Sequence, residues 1–121
     1  MDQFLLDNLN FPPDYYDGAL LWDTLPFLTP QLLQVTVDRL HDSLRPGANL
    51  LAFFPADERA RQAPLYQYRI QDHRMLMITP RGFRPRAQSL NSRGLEKLFH
   101  RFQSVKFFLT RDNLREIIVR R

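Results

Sequence analysis

Two runs of consecutive apolar residues set the pattern of this chain: Gly18-Ala19-Leu20-Leu21-Trp22 and Ala48 to Phe54. Neither run alternates apolar with polar. A strand covered on both faces needs that continuity, because neither face meets water; a strand with one wet face would alternate. Between the runs, Leu32, Leu33, Val37, Leu40 and Leu44 recur at helical spacing and form one apolar stripe. Thr29-Pro30 predicts the helix start, a hydroxyl cap followed by proline at the first helical position. Arg45-Pro46-Gly47 predicts its stop. Gln34, Asp38, Arg39 and Asp42 fall on the wet side, with Arg39, Arg45 and His41 offsetting the like-charged pair Asp38 and Asp42. The stretch from Asp17 to Phe54 is thus a β-α-β unit with two parallel strands and a crossover helix.

The flanking segments follow the same logic. Asp2 to Asn10 is one helical turn or a packed loop, and Phe11-Pro12-Pro13-Asp14 breaks it from the first strand. Residues 55–90 are rich in Arg, Gln and Pro and read as an insertion. Within it, residues 56–61 suggest a short helix. Leu65 to Ile70 and Met75 to Ile78 suggest a β-hairpin. Asn91 or Ser92 caps a second helix whose stripe is Leu95, Leu98, Phe99 and Phe102. Val105 to Leu109 and Leu114 to Val119 are strands joined by Arg111-Asp112-Asn113. That connection is too short for a parallel crossover, so the last two strands are antiparallel.

Composition narrows the class. At 121 residues the chain is a single domain, with 44% hydrophobic and 25% charged residues. Net charge is +4 and the sequence pI is about 10.0. A basic surface admits nucleic acid or anionic lipid. The 17 Lys and Arg are spread along the chain, however, which disfavours a nucleic-acid face. Arg84, Arg86, Arg93 and Arg101 could gather into a basic face, with separate solvated positions the default. The absence of Cys excludes disulfides, thiol nucleophiles and thiolate metal sites, and three scattered His argue against zinc. No apolar run approaches the about 20 residues that span a membrane, and the start lacks a signal peptide's pattern. The expected compartment is the cytoplasm.

The order of elements resembles one family. A doubly wound sheet that ends in an antiparallel hairpin is the mark of class I S-adenosylmethionine-dependent methyltransferases. Tyr16-Asp17-Gly18-Ala19-Leu20-Leu21-Trp22-Asp23 is similar to the family's fourth strand. Leu44-Arg45-Pro46-Gly47-Ala48-Asn49-Leu50-Leu51 is similar to its "L-R/K-P-G-G-x-L-L" turn into the fifth. Leu95 to Phe102 resembles the next helix, and Phe107 to Val119 strands six and seven. The fold class implied is α/β: a partial Rossmann-like methyltransferase sheet with helices on the faces and an inserted β-hairpin. The resemblance departs at the cofactor motif. The four glycines, at 18, 47, 82 and 94, make no glycine-rich turn. Residues 1–121 therefore resemble the C-terminal part of the domain, a truncated form, with Met1 an internal start, a misassigned start or a true truncation.

The resemblance also implies a site. Asp2, Gln3 and Phe4 fall where the family holds the adenine of S-adenosylmethionine. Trp22 and Asp23 fall where it lines the methionine portion and the substrate, at the carboxyl end of a strand where open α/β sheets take ligands. Residues 55–90 lie near the acceptor site. Phe27 (a lid residue, or core with Leu25 and Leu28) and Tyr66 and Tyr68 would face the methyl acceptor, a small molecule or a macromolecule. His73 and Arg81 are further polar candidates there. In the bland alternative, all four insertion residues make ordinary cross-strand pairs. His41 and His100 read as surface residues. No residue is marked as a catalytic base. Strands four and five would leave one sheet edge unpaired, open to a homodimer. The function implied is methyl transfer, incomplete in this chain; the alternative is a non-catalytic module acting through protein or nucleic-acid contacts.

Overall fold

Pro30 begins a 14-residue helix, α1 (Pro30–Ser43), in a computed structural model that describes residues 9–21, 24–56, 61–85, 90–110 and 114–121. Before it come β1 (Tyr16–Leu21) and a single 3-10 turn (Leu25–Phe27). After it run β2 (Leu44–Pro55), β3 (Gln62–Ile70), β4 (Leu76–Pro85), α2 (Ser92–Leu98), β5 (Ser104–Leu109) and β6 (Leu114–Arg120). Thr29 stands at the N-cap position, but its side chain makes no capping bond; its carbonyl accepts from Leu33 N at 2.8 Å. At α2 the cap is Asn91, whose Oδ1 accepts from Gly94 N at 2.8 Å. Both candidate caps occupy helix starts, and only the amide uses its side chain.

The helix stop differs from expectation. α1 ends at Ser43, whose hydroxyl donates to Leu40 O at 2.9 Å. Leu44 already pairs with Tyr16, and Arg45-Pro46-Gly47 lie inside β2 as a bulge: the register passes from Tyr16↔Leu44 to Gly18↔Asn49. Gly47 has φ +86, a left-handed backbone that strains any residue with a Cβ. Proline contributes no ladder donor, so a bulge is where a strand tolerates it.

Four strands form one sheet in the order β1-β2-β6-β5. β1 and β2 are parallel, with Leu20 beside Leu51. β6 is antiparallel to both its neighbours, with Ile117 between Ala52 of β2 and Phe107 of β5. The last strand of the chain is thus wedged inside the sheet, and β1 is an edge among the described residues. Side chains alternate across each strand. Leu50, Ala52, Phe54, Ile117 and Val119 share one buried cluster with Leu33, Val37 and Leu40 of α1 and with Leu95, Leu98 and Phe99 from α2 and its end. Both helices therefore cover the same face, a correction to the expectation of helices on both faces.

The opposite face holds Leu20, Leu51, Phe53, Glu116 and Ile118. Its cover is the hairpin β3–β4, a separate two-stranded sheet longer than the spacing suggested. Its cover is incomplete at β1. Leu20 is 53% exposed, whereas Ala19 and Leu21 pack partly on the helix side. The first apolar run was expected to be shielded on both faces; as an edge strand it is shielded on one. The suggested helix at 56–61 lies largely outside the described residues, as does the turn at 111–113. No helix among the described residues is long and apolar enough to cross a membrane.

Candidate binding site

The hairpin stands on the sheet through aromatic rings. Tyr68 of β3 stacks on Phe53 of β2, with ring centroids 5.5 Å apart and planes 17° apart. Tyr66 meets Tyr68 edge-on at 6.2 Å. At the other end of the hairpin, the Arg84 guanidinium lies 5.4 Å from the centre of the Phe27 ring, a cation–π contact that ties β4 to the 3-10 turn. Arg81 donates through Nε to Gln67 Oε1 at 2.8 Å, across the hairpin. The structure thus gives Tyr66, Tyr68, Phe27 and Arg81 packing partners. Leu25 is fully buried core, while Phe27 and Leu28 are half-buried.

Beyond the aromatic stack, the turn of the hairpin and the sheet line an open cavity of about 440 Å³. Leu20, Leu51 and Phe53 form its floor; Ile70, Met75 and Leu76 come from the hairpin. The turn itself is built by Asp72, whose Oδ1 accepts from Arg74 N at 2.8 Å, and by Gln71 N donating to Met75 O at 3.0 Å. His73 Nε2 accepts from Arg74 Nε at 3.2 Å. Glu116 is the sheet's own polar contribution to the cavity wall. It stands opposite Phe53 on one side and Phe108 on the other. Of these polar residues only His73 had been singled out in the sequence. The sequence signal for Glu116 is that it and Arg115 are the two charged residues inside the strand Leu114 to Val119.

A second groove, of about 290 Å³, runs beside the β1 edge. Gly18, Ala19, Leu21, Leu40 and Leu44 line it, with Phe11, Tyr16 and the Ser43 hydroxyl. It offers apolar walls and no charged group. Trp22, Asp23 and Asp2-Gln3-Phe4 lie outside the described residues.

On the helix side, the charges form a structural clamp. Arg101 donates to Asp42 Oδ1 at 2.7 Å and reaches Asp38 Oδ1 at 3.9 Å, so Arg101 offsets the two like charges of α1. Arg45 pairs instead with Asp17, at 3.2 Å and in solvent. Burial raises the Asp42 pKa, but hydrogen bonds and charge from Arg101 and His41 outweigh it and hold the group below its ordinary value. His100 is exposed as expected. His41 is not: its side chain is 13% exposed, its ring meets Phe102 edge-on at 5.0 Å, and Nδ1 sits 3.2 Å from Asp42 Oδ1. Of the suggested arginines, Arg84 lies on Phe27 and Arg101 on this clamp, while Arg86 lies outside the described residues.

Several solved methyltransferases have a fold similar to that of this chain. An S-adenosylmethionine-dependent methyltransferase from Methanosarcina mazei matches over 93% of this chain with a TM-score of 0.57 and 17% identity. One from Mesorhizobium loti matches over 96% with a TM-score of 0.59 and 14% identity. The chain has a class I methyltransferase-like fold. The same holds against 1,6-didemethyltoxoflavin-N1-methyltransferase of Burkholderia thailandensis, solved with 1,6-didemethyltoxoflavin and S-adenosylhomocysteine bound: 91% of this chain, TM-score 0.53, 14% identity. The methyltransferase-like part is shorter than these proteins. It spans 62%, 67% and 45% of their lengths in turn, and 33% of another matched structure. No family model and no curated protein matches the sequence.

Proposed function

We propose that this chain serves S-adenosylmethionine-dependent methyl transfer, as the part of the fold that faces the methyl acceptor. The observation that supports this most is the sheet order, with β6 between β2 and β5 in a methyltransferase-like fold. Bound S-adenosylmethionine supplies an activated methyl, so the protein's work is to bind and orient. The described residues do not fit a whole cofactor. The groove at β1 has apolar walls, the hydroxyls of Tyr16 and Ser43, and no charged group to pair with an amino or carboxylate group. Asp2, Gln3, Phe4, Trp22 and Asp23 are the proposed cofactor contacts, and no catalytic step is assigned to a residue. Phe27, Tyr66 and Tyr68 shape the acceptor side by holding the hairpin on the sheet.

With so little enclosure, the chain alone is expected to bind the cofactor weakly, with a dissociation constant above roughly 100 μM. Ultraviolet cross-linking with millimolar methyl-labelled S-adenosylmethionine tests the reading. Label is expected on the tryptic peptide ending at Arg39, which contains all five proposed contacts. Label on other peptides only, or none above a heat-unfolded control, would contradict it. The exposed β1 edge favours a second reading, a non-catalytic module that pairs through that edge with another copy or another protein.

A further inference from the structure

We propose that the cavity beneath the hairpin turn binds a small apolar or aromatic molecule that carries a protonated amine, and that Glu116 is the residue that recognises it. The volume, about 440 Å³, lies in the ordinary range of small-molecule sites. Both sides are apolar: Leu20, Leu51 and Phe53 on the sheet, Met75 and Leu76 on the hairpin. Such walls hold a ring or a short aliphatic chain by burial alone.

Charge chooses the headgroup. Glu116 is half-buried on the sheet, and its carboxylate forms no hydrogen bond or ion pair with any described residue. A carboxylate among apolar neighbours keeps a desolvation cost that only donors or a cation relieve. The other charged groups around the cavity sit on the hairpin turn. Asp72 is exposed and holds Arg74 N. Arg74 is exposed and donates to His73 Nε2 at 3.2 Å. The cavity thus has two carboxylates against one guanidinium. Arg74 could greet an anion, but a solvent-exposed pair is worth little. Glu116 is the less solvated group, so a cation gains more there than an anion gains at Arg74.

This binding claim stands on the cavity and on Glu116. Only its extension, that such an amine is the methyl acceptor, rests on the methyl-transfer reading. The test needs no cofactor, so the two fail separately. Benzylamine, benzyl alcohol and benzoate share one ring and differ in headgroup charge. Titrated into ¹⁵N-labelled protein, benzylamine is expected to bind about tenfold more tightly than benzyl alcohol, with benzoate weakest. The shifted amides should include Leu51, Glu116 and Met75. Glu116→Gln keeps the side chain's shape and is expected to bring benzylamine down to the level of the alcohol, leaving alcohol binding unchanged. Asp72→Asn should keep the preference. Equal binding of all three probes, a preference for benzoate, or a preference that survives Glu116→Gln would each overturn the proposal.

Discussion

Phe99→Ala is expected to lower the unfolding free energy by about 3–5 kcal/mol, a large part of the about 5–15 kcal/mol that holds a domain together. Phe99 is fully buried at the C-cap of α2, and its ring meets that of Phe102 edge-on at 5.7 Å. It belongs to the cluster in which α1, α2, β2 and β6 share one core. No small movement closes the hole, because neighbours on four elements surround it. The loss is global: α2 has seven residues, too few to stand alone, and its place depends on this burial. Chemical denaturation followed by circular dichroism reads the change. A loss below about 1 kcal/mol would show that the helix does not pack as described.

Phe53→Ala should act differently. Phe53 is 5% exposed, on the face away from the helices, where it floors the cavity and stacks with Tyr68. An isolated two-stranded hairpin is marginal in water, so β3–β4 depends on such anchors. Removing the ring is expected to cut amide-exchange protection in β3–β4 by roughly tenfold or more, while the amides of β6 keep most of theirs. Equal loss across both sheets would mean that the hairpin is integral to the core rather than seated on it.

These two phenylalanines also mark what the sequence could and could not say. The β-α-β unit was legible because unbroken apolar runs and a 3.6-residue stripe have few other readings. The short link between residues 109 and 114 required an antiparallel pair. Face was harder. Two helices of similar stripe can cover one face or two, and only the pairing of Leu50, Ala52 and Phe54 against Leu51 and Phe53 decides. Pro46-Gly47 stops a helix or bulges a strand with the same chemistry; Ser43 turning back on Leu40 ends α1 first. Leu20 has a buried residue's character, and nothing local reveals that its strand is an edge among the described residues. His41 looked like surface because its partner, Phe102, lies 61 positions away. The cavity unites β1, β2, β6 and the hairpin turn, so no single stretch announced it. Tyr66 and Tyr68 are marked by alternation; in the structure Tyr68 stacks on Phe53 and Tyr66 meets Tyr68.

The sheet order bears the rest of this account, and nuclear Overhauser contacts between strands measure it directly. The account predicts cross-strand contacts of Ile117 with both Ala52 and Phe107, and of Leu20 with Leu51 in parallel register. Contacts that place β5 directly against β2, with β6 at the edge, would contradict it.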